Sequence, residues 1–210
     1  MRVLFLWNQA DGDAWYRMGV FGKYMSRSKQ NEVALFPRWE AGAVATWPAD
    51  IEKDQNAIYE MERVYSKCDI AVIQRAQTPM VIALMQAFKE KWNIPILVEI
   101  DDDLTCVPPD NPGYVALHPT SLGKEMGEKQ LQICDGIITS TPYLRDKYKK
   151  FNKTYLVPNG VDFEVWDKLE TPVKKDKKIR IGWQGSNVHG KNLFILRDVI
   201  KDIKSLYPQV

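Results

Sequence analysis

Three consecutive carboxylates, Asp101, Asp102 and Asp103, follow the apolar run Ile96–Ile100 and precede Leu104 and Thr105. Such groups at the end of a buried strand cannot all stay ionised cheaply unless solvent, a cation or basic partners balance them. Two uses are open: a hydrated loop that caps the next segment, or a functional acidic edge in a cleft. Gly12 stands between Asp11 and Asp13 in the turn after the first apolar run, and Arg17 follows one helical turn on. Arg17 can offset those acids, grip an anionic substrate group, or sit solvated on its helix. Residues 182–191, GWQGSNVHGK, read as a strand-to-helix turn in which unpaired helix amides and Lys191 can hold an anion.

The elements that position these groups show in the hydrophobic pattern. Residues 2–7 carry VLFLW, a near-continuous apolar run expected of a strand buried on both faces of a parallel sheet. Strands are likewise expected at 32–36, 70–74, 96–100, 136–140 and 155–157, and helices at 14–27, 50–66, 79–92, 120–133 and 142–150. This alternation predicts a doubly wound, Rossmann-like parallel sheet with right-handed crossovers and ligands at the carboxyl ends of its strands. KCDIAVIQ at 67–74 and ICDGIITS at 133–140 repeat one helix-to-strand junction. Residues 37–48 hold Trp39 and Trp47, either as a satellite cluster of the core or as an acceptor-side loop. Pro158, Asn159 and Gly160 break the last strand of the first domain. A charged linker follows, and a strand at 179–183 with a helix at 192–206 opens a second unit.

With 210 residues and 45% hydrophobic content, the chain suffices for one packed domain plus a fragment. The expected division is a first domain at 1–168, a linker at 169–178, and the incomplete start of a second domain at 179–210. A net charge of +2 supplies no global field that would draw the protein to nucleic acid. No apolar run approaches the ~20 residues of a membrane span, and Met1 leads straight into strand residues without a signal-peptide pattern. Cys68, Cys106 and Cys134 fit neither a disulfide framework nor a zinc knuckle, so a reducing, cytoplasmic setting is expected.

Val157, Pro158, Asn159, Gly160, Val161 and Asp162, with Phe163 and Trp166 behind them, lie between a completed α/β unit and a fresh glycine-turned βα unit. This arrangement resembles the hinge of GT-B fold glycosyltransferases, most of all the family-four retaining enzymes that use nucleotide-sugar donors. The resemblance implies an N-terminal acceptor-side domain followed by the start of a nucleotide-sugar-binding domain. It implies Gly12 near donor phosphate or sugar, with Arg17, Asp102 and Asp103 along the acceptor side of the cleft. Asp101 takes the place where many such enzymes carry a histidine beside the reaction centre, and is the catalytic candidate. Gly185 and Lys191 match positions that contact the donor diphosphate, while Ser186 stands where an arginine is usual. The glutamate-rich motif that binds donor ribose in that family would lie beyond residue 210, so donor binding is expected to need a companion chain or second copy. The implied co-substrate is a nucleotide-sugar, with no metal and no other cofactor, and the acceptor is open.

Two further readings belong beside this one. Asp101, Asp103 and Thr105 spell DxDxT, which is similar to the first motif of haloacid-dehalogenase-type phosphatases. That likeness implies Asp101 as nucleophile and Asp103 as acid/base with magnesium. However, the motif here follows a fourth strand rather than a first, and the strand expected at 179–183 ends in WQGSN rather than in an acidic pair. The other reading is a non-catalytic binding or structural protein derived from a glycosyltransferase.

Overall fold

Each short apolar run becomes one strand of a single sheet. The structure, a computed structural model, describes residues 1–7, 12–36, 65–75, 78–111, 113–169, 180–183 and 190–207. The strands are β1 (Arg2–Leu6), β2 (Glu32–Phe36), β3 (Ile70–Gln74), β4 (Ile96–Ile100), β5 (Gly136–Thr139) and β6 (Thr154–Leu156). They lie in the order β2-β1-β3-β4-β5-β6, and every neighbouring pair is parallel. The expected α/β, Rossmann-like sheet is therefore the architecture observed.

Between β1 and β2 the chain forms α1 (Gly12–Ala14), a π-helical turn at Trp15–Gly19, and α2 (Val20–Met25). This helical stretch begins two residues before the expected 14. The wide turn carries Trp15 over Gly19, where a Cβ would meet the indole ring at 2.7 Å, so glycine is what lets the ring lie there. The other helices are α3 (Pro79–Glu90), α4 (Tyr114–Leu117), α5 (Leu122–Ile133), α6 (Pro142–Tyr148), α7 (Phe163–Trp166) and α8 (Gly190–Leu206). Three start where the sequence supplies a hydroxyl: Thr78, Ser121 and Thr141 accept backbone N–H bonds from Val81, Lys124 and Leu144. Pro79 and Pro142 then occupy the first turn, where a missing N–H costs nothing.

The repeated Cys-Asp junction has a shared geometry. Asp69 donates its backbone N–H to the Arg2 carbonyl at 2.8 Å and accepts the Arg2 N–H on its carboxylate at 2.6 Å. Asp135 does the same with Ile96, at 2.8 Å for both bonds. Each aspartate also holds a cation, Arg2 for the first and Lys89 for the second. The same two residues thus tie the amino end of one strand to that of its neighbour twice over.

The two faces of the sheet are filled unequally. On one face Leu4, Leu6, Ile73, Ile96, Val98 and Ile137 pack under α3, α5 and α6 in the main core. On the other, Val3, Phe5 and Val72 meet Ala14 and Met18, while Leu97 and Ile138 are only partly buried. The difference follows from connectivity. Among the described residues, only the β1–β2 connection places a helix on that second face.

Beyond β6 the observed chain departs from expectation in one respect. Residues 180–183 have no regular structure, and Ile181 and Trp183 are exposed. A single strand with no neighbour to complete its hydrogen-bond ladder has little to hold it extended. The helix expected after it does form, as α8, with Phe194 71% exposed beside exposed Ile195, Val199 and Ile200. Its apolar stripe is unpacked. The loop at 37–48, all but the end of the helix expected at 50–66, most of the linker, and Asp11, Gly185 and Ser186 lie outside the described residues.

Candidate functional site at the carboxyl edge

In an open parallel sheet, ligands bind beyond the carboxyl ends of the strands, where strand order reverses direction. Here that point lies between β1 and β3, since the chain leaves β1 toward β2 and then returns across β1 to β3. Gly12 and Asp13 follow β1, and Arg75 follows β3. Arg75 answers the question raised by the three aspartates. Its guanidinium lies 3.4 Å from Asp101, 3.3 Å from Asp102 and 3.5 Å from Asp13. The carboxylates of Asp13, Asp101 and Asp102 offer oxygens within 4.8 Å of one another around this cation. Burial raises the Asp101 pKa despite Arg75, because the desolvation of a half-buried carboxyl outweighs one nearby guanidinium. Asp101 is thereby suited to take up and release a proton.

Asp103 turns away from this group. Lys147 Nζ donates to it at 2.6 Å, Thr105 Oγ1 at 2.8 Å and Tyr143 Oη at 2.8 Å. Partial burial opposes ionisation, yet these three donors hold the Asp103 carboxyl well below the usual carboxylate range. A carboxylate so fixed is a poor acid/base. Asp101 and Asp103 are held by different cations, so the paired use that a phosphatase would make of DxDxT has no shared site here. Lys147, from α6, thus clamps this loop through Asp103 and Thr105.

Arg17 is neither a solvated helix residue nor free to grip a substrate. Its Nε donates to Glu99 Oε1 at 2.6 Å, and each side chain is only 1% exposed. Nη1 donates to the Val157 carbonyl at 2.7 Å and to Asn159 Oδ1 at 2.9 Å. Burial drives the Glu99 pKa up to about 7, outweighing the pull of Arg17 toward the charged form. Arg17 Nη2 and Glu99 Oε2 have no hydrogen-bond partner among the described residues.

The segment leaving β6 is fixed by the same helical stretch. Lys23 Nζ donates to Asp162 at 2.6 Å and Tyr24 Oη donates to it at 2.9 Å. Asp162 also caps α7 by accepting the Glu164 N–H. The Lys23 and Tyr24 bonds hold the Asp162 pKa below its ordinary value, and Arg27 with Lys23 brings that of Glu164 down to about 2. Residues 157–164 are thus docked onto α2 by charge and capping together.

Of the sequence candidates, Asp101 and Asp102 come together at the switch point, with Gly12 on the adjoining β1 connection. Gly12 opens α1, and a Cβ there would meet nothing within 4 Å, so no close backbone approach demands glycine. Lys191 lies in the first turn of α8. Arg75, Glu99, Lys23 and Tyr24 escaped the sequence reading. Glu99 had a visible signal, a lone acid inside the apolar run ILVEI, because a charge in a buried strand needs a partner. Arg75 had none beyond its place after a strand.

Among the described residues, no helix is long and apolar enough to cross a membrane. Cys68, Cys106 and Cys134 form no disulfide among the described residues. No protein-family model matches this chain, and no curated protein does. Among solved structures it is similar to Glycyrrhiza uralensis UGT73P12, complexed with glycyrrhetinic acid 3-O-monoglucuronide, at 13% identity and a TM-score of 0.38. The match covers 74% of this chain and 42% of that one, so the chain spans less than half the length of that protein.

Proposed function

We propose that this chain is the N-terminal, acceptor-side part of a GT-B glycosyltransferase, joined to the start of a domain that binds a nucleotide-sugar. One observation carries the reading: the VPNGVD segment leaves the carboxyl edge of a parallel sheet and is pinned there by Arg17, Lys23 and Tyr24. A domain linker fixed in this way sets where a second domain would face the first. The cleft between them would then open onto Asp101, Asp102 and Arg75.

In this reading the bond from the sugar's anomeric carbon to the donor phosphate breaks, and a bond from that carbon to an acceptor oxygen forms. Asp101 accepts the acceptor's proton, and Arg75 keeps the surrounding carboxylates from repelling the donor. Gly185, Ser186 and Lys191 would hold one edge of the diphosphate. The remaining donor contacts would come from a companion chain or a second copy that completes the second domain.

Calorimetric titration with a panel of nucleotide-sugars, with and without a chain supplying the rest of the second domain, tests this. The expected result is weak or undetectable binding alone, and transfer only in the combined system, lost in Asp101→Asn. Binding restored without any transfer would favour a non-catalytic derivative. Magnesium-dependent phosphate release by the chain alone, lost in Asp101→Asn, would favour the phosphatase.

A further inference from the structure

The segment that leaves β6 carries the chain's one Asn-Gly pair, Asn159 and Gly160. Asn159 is exposed, and neither residue lies in a helix or strand. Arg17 Nη1 donates to Asn159 Oδ1 at 2.9 Å. A guanidinium has no acceptor, so this contact fixes the amide oxygen toward the cation and turns Nδ2 away. The Gly160 N–H and Asn159 Nδ2 have no hydrogen-bond partner among the described residues. A Cβ on Gly160 would come no closer than 3.9 Å to Val20, and its φ is not left-handed, so neither packing nor backbone conformation demands glycine. What the missing side chain does is leave the Gly160 nitrogen unshielded beside the Asn159 amide.

We propose that Asn159 is a self-modification site, at which the Gly160 backbone nitrogen displaces the side-chain amide, assisted by Arg17, to leave aspartate and isoaspartate. The Gly160 nitrogen gives its proton to water and bonds to Asn159 Cγ. Negative charge then develops on Oδ1, the atom that Arg17 Nη1 already holds, so the donor stands where the charge appears. The Cγ–Nδ2 bond breaks, and Nδ2 takes a proton from water and leaves as ammonia. Water opens the resulting five-membered imide at either carbonyl, so one water is consumed and one ammonia released. The product carboxylate gives Arg17 a second anionic partner beside Glu99, through a charge-assisted bond in place of a neutral one. Isoaspartate also adds a methylene to the main chain between the Arg17 contact at Val157 and the Lys23 and Tyr24 contacts at Asp162. This chemistry needs neither a second domain nor a sugar, so it stands apart from the transfer reading.

The test incubates the full chain at neutral pH in heavy-oxygen water and follows residue 159 by peptide mapping, beside a synthetic peptide of residues 155–165. The folded chain should take up the isotope at residue 159 alone, as both aspartate and isoaspartate. It should do so about tenfold faster than the peptide, less than the roughly 10²–10³ that a buried oxyanion donor supplies because Asn159 is exposed. Gly160→Ala, which the surrounding space accepts, should nearly abolish the reaction with an unchanged circular dichroism spectrum. The Arg17→Met, Glu99→Leu double variant removes the donor without leaving a lone buried charge, and its rate should fall to that of the peptide. A folded chain that reacts no faster than the peptide, aspartate without isoaspartate, or an undiminished rate in Gly160→Ala or in the double variant would each overturn the proposal.

Discussion

At the carboxyl edge of the sheet, Arg17 and Glu99 are closed to solvent at 1% exposure each, whereas Arg75 stands at 21% among acids of which Asp102 reaches 68%. The closed pair joins elements far apart in sequence and ends on the Val157 carbonyl, just past β6. The open group gathers three carboxylates around one cation and leaves negative charge facing water. A buried pair is held by the cost of separating it, since either partner left alone is an uncompensated charge. An exposed one is screened and contributes little to folding. The closed cluster is therefore the tie that holds residues 157–159, and the open cluster is the one that solutes can reach.

The sharpest way to break this contrast is to remove one charge from each cluster. Arg17→Met should cost about 3–5 kcal/mol by leaving Glu99 buried and unpaired, a fall of roughly 10 °C in melting temperature. Adding Glu99→Leu should recover at least half of that loss, because an apolar pair of similar volume no longer buries a lone charge. Thermal unfolding of the single and double variants gives the coupling. Equal destabilisation in both would show that the ion pair is not the tie.

A second effect comes from protonation. Glu99 titrates near 7 in the folded chain and near its ordinary 4.5 when unfolded, so the folded state binds more protons between those values. Stability from this group is fully present below about 4.5 and is lost as pH rises through about 7. Asp103 and Glu164 act oppositely, since their lowered folded pKa values make stability fall only as pH drops below the unfolded carboxylate range. Denaturant melts from pH 3 to 8 should therefore show a maximum near pH 5. The falling limb toward pH 7 should vanish in the Arg17→Met, Glu99→Leu double variant. A profile that climbs steadily to pH 7 would contradict the assignment.

Arg75→Gln should have a smaller effect on folding, about 1 kcal/mol or less. Its larger consequence should be local, because three carboxylates then lack their cation and millimolar magnesium should restore the melting temperature. A loss as large as that of Arg17→Met would erase the distinction between the clusters. Asp135→Asn, at the opposite edge, should matter least, within about 0.5 kcal/mol, since the amide oxygen can still accept the Ile96 N–H. Hydrogen exchange at Ile96 would report whether that bond survives.

These residues also show what local sequence conveys. The apolar runs at Ile96–Ile100 and Gly136–Thr139, the hydroxyl caps before three helices, and the need to balance Asp101, Asp102 and Asp103 are all properties of neighbours in the chain. The identity of the balancing groups is not. Arg75 and Lys147 reach the acidic loop from different elements, and Arg17 meets Glu99 across 82 positions. Periodicity placed Arg17 on a helix but could not say which side faced the sheet. The strand at 179–183 failed for a related reason: its pattern was right, but a strand is completed by neighbours that the pattern does not contain.

The paired Asp69 and Asp135 junctions carry a consequence for how the molecule can change. Both rings of backbone and carboxylate bonds sit at the amino ends of the strands and set the alignment of β3 on β1 and of β5 on β4. Slippage by one residue would turn every side chain to the wrong face, and these anchors resist it from the edge opposite the carboxyl-end loops. Insertions or substitutions after Trp7, Gln74 or Ile100 can therefore accumulate without misaligning the sheet. The fold separates the edge that keeps its alignment from the edge that is free to evolve new specificity.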